Sequence, residues 1–254
     1  MIEREELQYH IKCRKGDVGE YVLLPGDPAR CELIANCFDK PEFLVQNREY
    51  RIYNGYIDGV KVSVCSTGIG GPSAVIALEE LANAGARTFI RVGTCGGIDT
   101  KVCSGDTVIG MSAVRQDGTS YEYAPEGYPA TADFEVTSAL YSAAKKLQQR
   151  CHVGVVQAKD SFYGQHSPET KPVAPMLQYK WESWKKLHVL ASEMESAALF
   201  TAAAYREVRC GAVFSTVWNQ ERQKLFGDTA KSEDVMPAIE CAIEAIRLLI
   251  KQAE

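Results

Sequence analysis

The chain has 254 residues, with 46% apolar and 24% charged side chains, which is enough to bury one large α/β core or two small ones. A net charge of −5 gives no electrostatic reason to expect nucleic acid or an anionic membrane as partner, and the longest apolar runs are too short to span a bilayer. The charged start Met1–Glu6 has no signal-peptide apolar core, and the nine scattered cysteines form no CxxC pair and do not cluster with the four histidines. Reduced thiols packed as small apolar residues place the chain in the cytoplasm. With no repeat, low-complexity segment or linker-like shift, a single domain over 1–254 is expected.

Taken in order, Tyr21–Leu24 is a short apolar strand running into Pro25-Gly26-Asp27-Pro28-Ala29-Arg30. Asp27 suits an N-cap and Pro28 a first helical position. Arg30 then stands in the first turn, the wrong end for a cation unless an anion lies at the helix start; a solvated surface arginine is the other reading. Arg48 precedes an alternating stretch from Arg51 to Ile57, and a hairpin turn near Asp58-Gly59 leads into Val60–Ser66. By itself Arg48 is a surface charge.

Thr67–Ser73 is a glycine-rich loop opening a helix from Ala74 to Ala84, closed by Gly85. It fails as a dinucleotide fingerprint, because Ser73 stands where a third glycine is needed and no acidic residue follows at the required distance. The next strand, Phe89–Val92, ends in Gly93-Thr94-Cys95-Gly96-Gly97 and carries Arg91 in an apolar run. Buried charge is costly unless paired, and arginine does not neutralise itself. Either a bound anion meets Arg91 in a glycine-lined cradle at the strand's carboxyl end, or a buried carboxylate does.

Gly105–Gly110 reads as another buried strand, 121–132 as a long surface loop, and Asp133 as the cap of a helix from Phe134 to about Gln149. Val153–Ala158 is a strand followed by Lys159, Phe162, Tyr163, Gln165 and His166, which offer a planar polar ring a stacking face, donors and acceptors. A snorkelling lysine and a rim tyrosine would explain the same residues. Trp181–Leu187 is a short amphipathic helix. Ser192 and Glu195 match a capping box opening an alanine-rich helix to Glu207, although Glu195 could equally accept two vicinal hydroxyls. A strand over Ala212–Val217, a loop over Trp218–Arg222 and a helix from Glu233 to Lys251 complete an α/β fold with a mixed sheet.

In order and spacing, Pro25-Gly26-Asp27-Pro28-x-Arg30, Arg48-Glu49, Ser66–Ser73, Arg91-Val92-Gly93-Thr94-x-Gly96, Phe162-Tyr163-Gly164-Gln165 and Glu193-Met194-Glu195-Ser196 together resemble the nucleoside phosphorylase-I family, and within it the uridine phosphorylases, over nearly the whole chain. The resemblance implies a single αβα sandwich around a mixed, barrel-like sheet and reversible phosphorolysis of uridine, with deoxyuridine a further substrate. It also implies a homohexamer built as a trimer of dimers. Phosphate contacts would come from Gly26, Arg30, Arg91 and Thr94, with Arg48 lent by the neighbouring subunit. Met194 and Glu195 match ribose positions, with His10 lent by the neighbour; Gly96, Phe162 and Gln165 match the uracil side. No organic cofactor is implied, and Glu49, Ile69 and Ser73 match residues that hold a monovalent cation such as K+ between subunits.

The chain departs from the family pattern at the base. Ser167 stands where an arginine usually follows the glutamine, and Gln220 replaces a second arginine after the last strand. Lys159 is the expected replacement, with Arg222 as runner-up cation and His166 as a helper. Arg91, Glu195 and Lys159 are therefore the candidate catalytic groups. Purine phosphorolysis, nucleoside hydrolysis and a non-catalytic nucleoside-binding protein are the alternatives. Asn219 stands where family purine enzymes carry an acid, and a hydrolase would not need arginines converging on phosphate.

Overall fold

The computed structural model describes residues 7–253; the charged start read above, at 1–6, lies outside them. In chain order the elements begin β1 (Tyr21–Pro25), α1 (Ala29–Ala35), β2 (Asp39–Asn47), β3 (Tyr50–Ile57), β4 (Val60–Cys65), α2 (Gly71–Ala84) and β5 (Thr88–Gly97). Then follow β6 (Thr107–Gln116), α3 (Thr119–Tyr123), β7 (Ala130–Thr131), α4 (Phe134–Lys146) and β8 (Cys151–Lys159). The last are α5 (Phe162–His166), α6 (Ala174–Lys186), β9 (Ala191–Glu193), α7 (Ser196–Arg206), β10 (Arg209–Asn219), α8 (Gln220–Phe226) and α9 (Met236–Ala253).

The strands form one mixed sheet in the order β10-β6-β8-β9-β5-β1-β4-β3-β2. Because β10 also pairs with β5, the five strands β5, β9, β8, β6 and β10 close into a barrel, and β1, β4, β3 and β2 extend from it. Period-two alternation along β1 sends Val22 and Leu24 into one core with α2 and α7, and Tyr21 and Leu23 into a second with α1, α4 and α9. The expected sandwich around a barrel-like mixed sheet is therefore what the chain forms. Arg91 stands between Ile90 and Val92, which both enter the second core, so it emerges on the other face beside α2 and α7.

Most elements fall where they are expected. Gly85 closes α2 in the left-handed region, and Asp133 caps α4 by accepting from Val136 N. Several stretches differ. β2 was not anticipated: it is the terminal strand of the sheet, contains Pro41 and pairs irregularly with β3, so it shows no alternation to read. The loop over 121–132 holds the end of α3 and the short β7. It is tied down by Arg115, which donates to Ser120 Oγ and to the carbonyls of Ser120, Ala124, Pro125 and Tyr128. The helix expected at Trp181 begins earlier, at Ala174. α7 begins at Ser196, not Ser192, for a reason that belongs to the site.

Six of the nine cysteines are buried and none is disulfide-bonded. Among the described residues no helix is long and apolar enough to cross a membrane.

Candidate active site

The carboxyl ends of β1, β4, β5, β8 and β10 meet around a cavity of about 980 Å³. On its anion side stand Gly26, Arg30, Arg91 and Thr94. Gly26 leaves β1 so close to Arg91 that a Cβ there would lie 3.2 Å from the guanidinium, a close approach that glycine permits. The loops after β1 and β4 are bonded to each other, Thr67 N to Pro25 O and Gly68 N to Gly26 O, and this fixes the cradle floor.

Arg91 is 6% exposed. Its guanidinium donates to Leu24 O, to Thr67 Oγ1 at 2.8 Å and to Glu195 Oε2 at 2.8 Å. Its Nε has no partner among the described residues. The buried-carboxylate reading of this arginine holds, and the residue also lines the cavity. Arg30 lines the same cavity with no hydrogen bond or ion pair from a described side chain. Burial lowers the pKa of its guanidinium, Asp27 opposes the shift, and the charge of Arg91 adds to it. Two guanidinium groups thus face one side of the cavity, and only that of Arg91 is held in an ion pair, an arrangement suited to an oxyanion.

Glu195 is held from both sides. Its Oε2 meets Arg91, and its Oε1 accepts from Gly70 N at 2.7 Å, where Gly70 sits at φ 96° ahead of α2. The capping box expected from Ser192 and Glu195 does not form. Ser192 lies in β9, and it is Glu193 that caps α7, accepting from the backbone N–H of Glu195 and Ser196. Glu195 is thus free to serve the cavity, together with Met194. Burial and the neighbouring charge of Glu195 push the Glu193 carboxyl upward.

On the opposite side are Gly96, Lys159, Phe162, Gln165, His166 and Trp218. The Phe162 ring is half exposed, and His166 lies 4.3 Å from it between centroids. Lys159 is 5% exposed, and its Nζ donates to Ser192 Oγ at 2.6 Å. Ser192 Oγ in turn donates to Gln165 Oε1 at 2.7 Å. Burial pushes the Lys159 ammonium down to about 8, opposed by Glu193 and Glu195. Burial, followed by the charge of Lys159, lowers His166. Ser192, a serine three residues before a glutamate, has the local signature of a cap; only the pairing of Gln157 in β8 with Ser192 in β9 brings it beside Lys159.

Other expectations fare differently. Arg222 does not line the cavity. Trp218–Arg222 is not a loop: Asn219 caps α8, and Arg222 is turned away to donate to Asp228 and Thr100 O. Asn219 is buried in structural bonds, donating to Asp99 O and Val102 O. Arg48 is exposed in the left-handed turn between β2 and β3, outside the cavity lining, and His10 is bonded to Glu80 at 2.7 Å and also lies outside it. Glu49, Ile69 and Ser73 do line the cavity, with Ser73 Oγ donating to Glu49 Oε1. A carboxylate and a hydroxyl are hard oxygen donors that fit a monovalent cation.

Residues 20–252 match the model of the phosphorylase superfamily. The chain is 50% identical to a uridine phosphorylase of Treponema pallidum over 99% of this chain and 98% of that one. It is 42% identical to a uridine phosphorylase of Thermococcus kodakarensis (98% and 89%) and 40% identical to that of Escherichia coli (95% and 98%). A closed mixed barrel with arginines and a carboxylate gathered at its strand ends, matched along nearly the full length, leaves no doubt about ancestry: the chain belongs to the phosphorylase superfamily.

Proposed function

We infer that the chain catalyses reversible phosphorolysis of uridine, giving uracil and ribose 1-phosphate. The observation that carries this is the shared cavity of Arg30, Arg91 and Glu195, with Phe162, Gln165 and Lys159 facing them. The relatives' activity supports it.

Phosphate sits between Arg30 and Arg91, against Gly26 and the Thr94 hydroxyl. Holding the nucleophile beneath the sugar makes the encounter nearly intramolecular. Breaking the N-glycosidic bond builds oxocarbenium-like charge on the ribose, which the phosphate dianion stabilises before it attacks. Glu195, fixed by Arg91 and Gly70, accepts the ribose hydroxyls beside Met194. The departing base gathers negative charge on its oxygens. Gln165 and the Lys159 ammonium stabilise it there, and preorganised donors of this kind act mainly on the transition state. Lys159 near 8 is protonated at neutral pH and close enough to the working pH to act as an acid.

Arg48 and His10 belong to a second subunit's site in this reading, since each lies outside its own cavity. The assembly is a trimer of dimers, the monovalent cation lies at Glu49, Ile69 and Ser73, and the enzyme serves cytoplasmic pyrimidine salvage. The test is release of free base from uridine, deoxyuridine, inosine and thymidine with and without phosphate. Uracil released only with phosphate is the expected result. Equal release without phosphate makes the chain a hydrolase, and preference for inosine makes it a purine enzyme.

A further inference from the structure

Behind the base side of the cavity lies a second chamber of about 420 Å³, which shares Lys159, Gln165, His166 and Trp218 with it. No part of the mechanism above uses its inner wall. That wall carries Gln157, 2% exposed, whose Oε1 has no hydrogen-bond partner among the described residues.

The orientation of this amide is fixed by chemistry. An indole N–H only donates, so Trp184 Nε1, 3.1 Å from Gln116 Oε1, holds the Gln116 carbonyl toward itself. That carbonyl also receives Gln157 Nε2 at 2.7 Å. Reversing either amide would set donor against donor or acceptor against acceptor. Gln157 therefore turns its NH2 to Gln116 and keeps its carbonyl oxygen for something else. The same logic runs the opposite way across the chamber. An ammonium only donates, so Lys159 fixes Ser192 as acceptor, the Ser192 proton goes to Gln165 Oε1, and the group Gln165 has left is its NH2.

Two amides of opposite polarity, the buried Gln157 and the partly buried Gln165, thus line one chamber. Gln157 opposes Ser192 in the β8–β9 register and lies two residues before Lys159, so all three rise from one face of the barrel. We propose that Gln157, oriented by Trp184 through Gln116, is the acceptor for the ring N–H of the leaving base, while Gln165 donates to the adjacent carbonyl. The pair would read an imide edge, a ring N–H beside a C=O, and reject a 4-amino pyrimidine, whose unprotonated ring nitrogen would face the Gln157 oxygen. The inference rests on the phosphorolysis reading and adds the residue that sets base choice. The positioning residues Gln116 and Trp184 act through Gln157.

The experiment compares kcat/KM for uridine, 3-methyluridine and cytidine in the wild type, Gln157→Leu and Trp184→Phe, with folding checked by thermal melting. Gln157→Leu should lower uridine turnover about 10- to 100-fold and leave 3-methyluridine nearly unchanged, shrinking their ratio by that factor, because a site built to bond a polar edge loses most on the substrate that has it. Trp184→Phe, which frees the amide pair to reverse, should narrow the uridine-to-cytidine ratio while uridine binding falls less than in Gln157→Leu. Ratios unchanged in both variants would overturn the proposal; if Gln157→Leu does not fold, the Trp184→Phe ratio decides alone. A wild type that releases no uracil in phosphate removes the functional reading and this one together, whereas an active wild type with unmoved ratios removes only the role of Gln157.

Discussion

At the scale of single residues, the site turns on charges that are buried and therefore expensive to leave unpaired. Arg91 and Glu195 illustrate the point, at 6% and 3% exposure. Arg91→Ala should raise the KM for phosphate and cut kcat/KM by about 10²–10³, as expected for loss of a preorganised charge contact. It should also destabilise the fold by about 3–5 kcal/mol, because Glu195 loses its ion-pair partner. Adding Glu195→Gln to that variant should recover most of the stability and none of the phosphate affinity, and thermal melts beside phosphate titrations would check this. Lys159 gives a second expectation. Its folded pKa lies near 8, so its proton is present below that pH and lost above it. The rate should fall on the alkaline side of about 8, and Lys159→Met should lower kcat about 10²–10³-fold and flatten that limb. A wild-type pH–rate profile that stays level to pH 10 would remove Lys159 from the chemistry. Arg91 was legible in the sequence because a guanidinium inside an apolar run demands an explanation. The partner that answers it, Glu195, lies 104 positions away, beyond the reach of any local pattern.

At the scale of elements, the junction of β9 and α7 decides what the acidic residues do. Glu193 accepts the N–H groups of Glu195 and Ser196 and so does the capping work that the spacing of Ser192 and Glu195 had promised. The Ser-x-x-Glu pattern is a local signal, whereas Ser192 is claimed by a strand pairing that no local pattern encodes. β2 was hidden for the related reason that an edge strand with a proline carries no alternation. α8 was hidden because its cap, Asn219, also satisfies two distant carbonyls. Where sequence and structure agree, as at Asp133 and Gly85, the signal is contained within one turn of helix. Glu193→Ala should cost about 1–2 kcal/mol as a lost helix cap. Glu193→Gln keeps an acceptor oxygen but removes the charge that raises Lys159, so its melting temperature should change little while the alkaline limb of the rate moves below 8. A limb that stays in place would show that Lys159 does not feel Glu193 across the strand pair.

At the scale of the whole molecule, one chain brings two of the three arginines of the motif set to its cavity. Arg30 and Arg91 face the cavity, but Arg48, the third arginine of the motif set, stands exposed on a left-handed turn outside it, and His10 spends its ring nitrogen on Glu80. If a twofold partner lends both, each site of a dimer needs Arg91 from one chain and Arg48 from the other. Arg48→Ala and Arg91→Ala should then each be nearly inactive alone. Co-expressed, they should form hybrid dimers in which one site carries both lesions and the other carries neither. Random pairing makes half the dimers hybrid, with one intact site in two, so the mixture should regain about a quarter of wild-type activity. Activity that remains at the level of the single variants would place Arg48 outside the neighbour's site. Strong activity in Arg48→Ala alone would show that Arg30 and Arg91 hold phosphate without a third guanidinium. Sedimentation of the wild type completes the measurement, because lending across an interface requires that no active monomer be found.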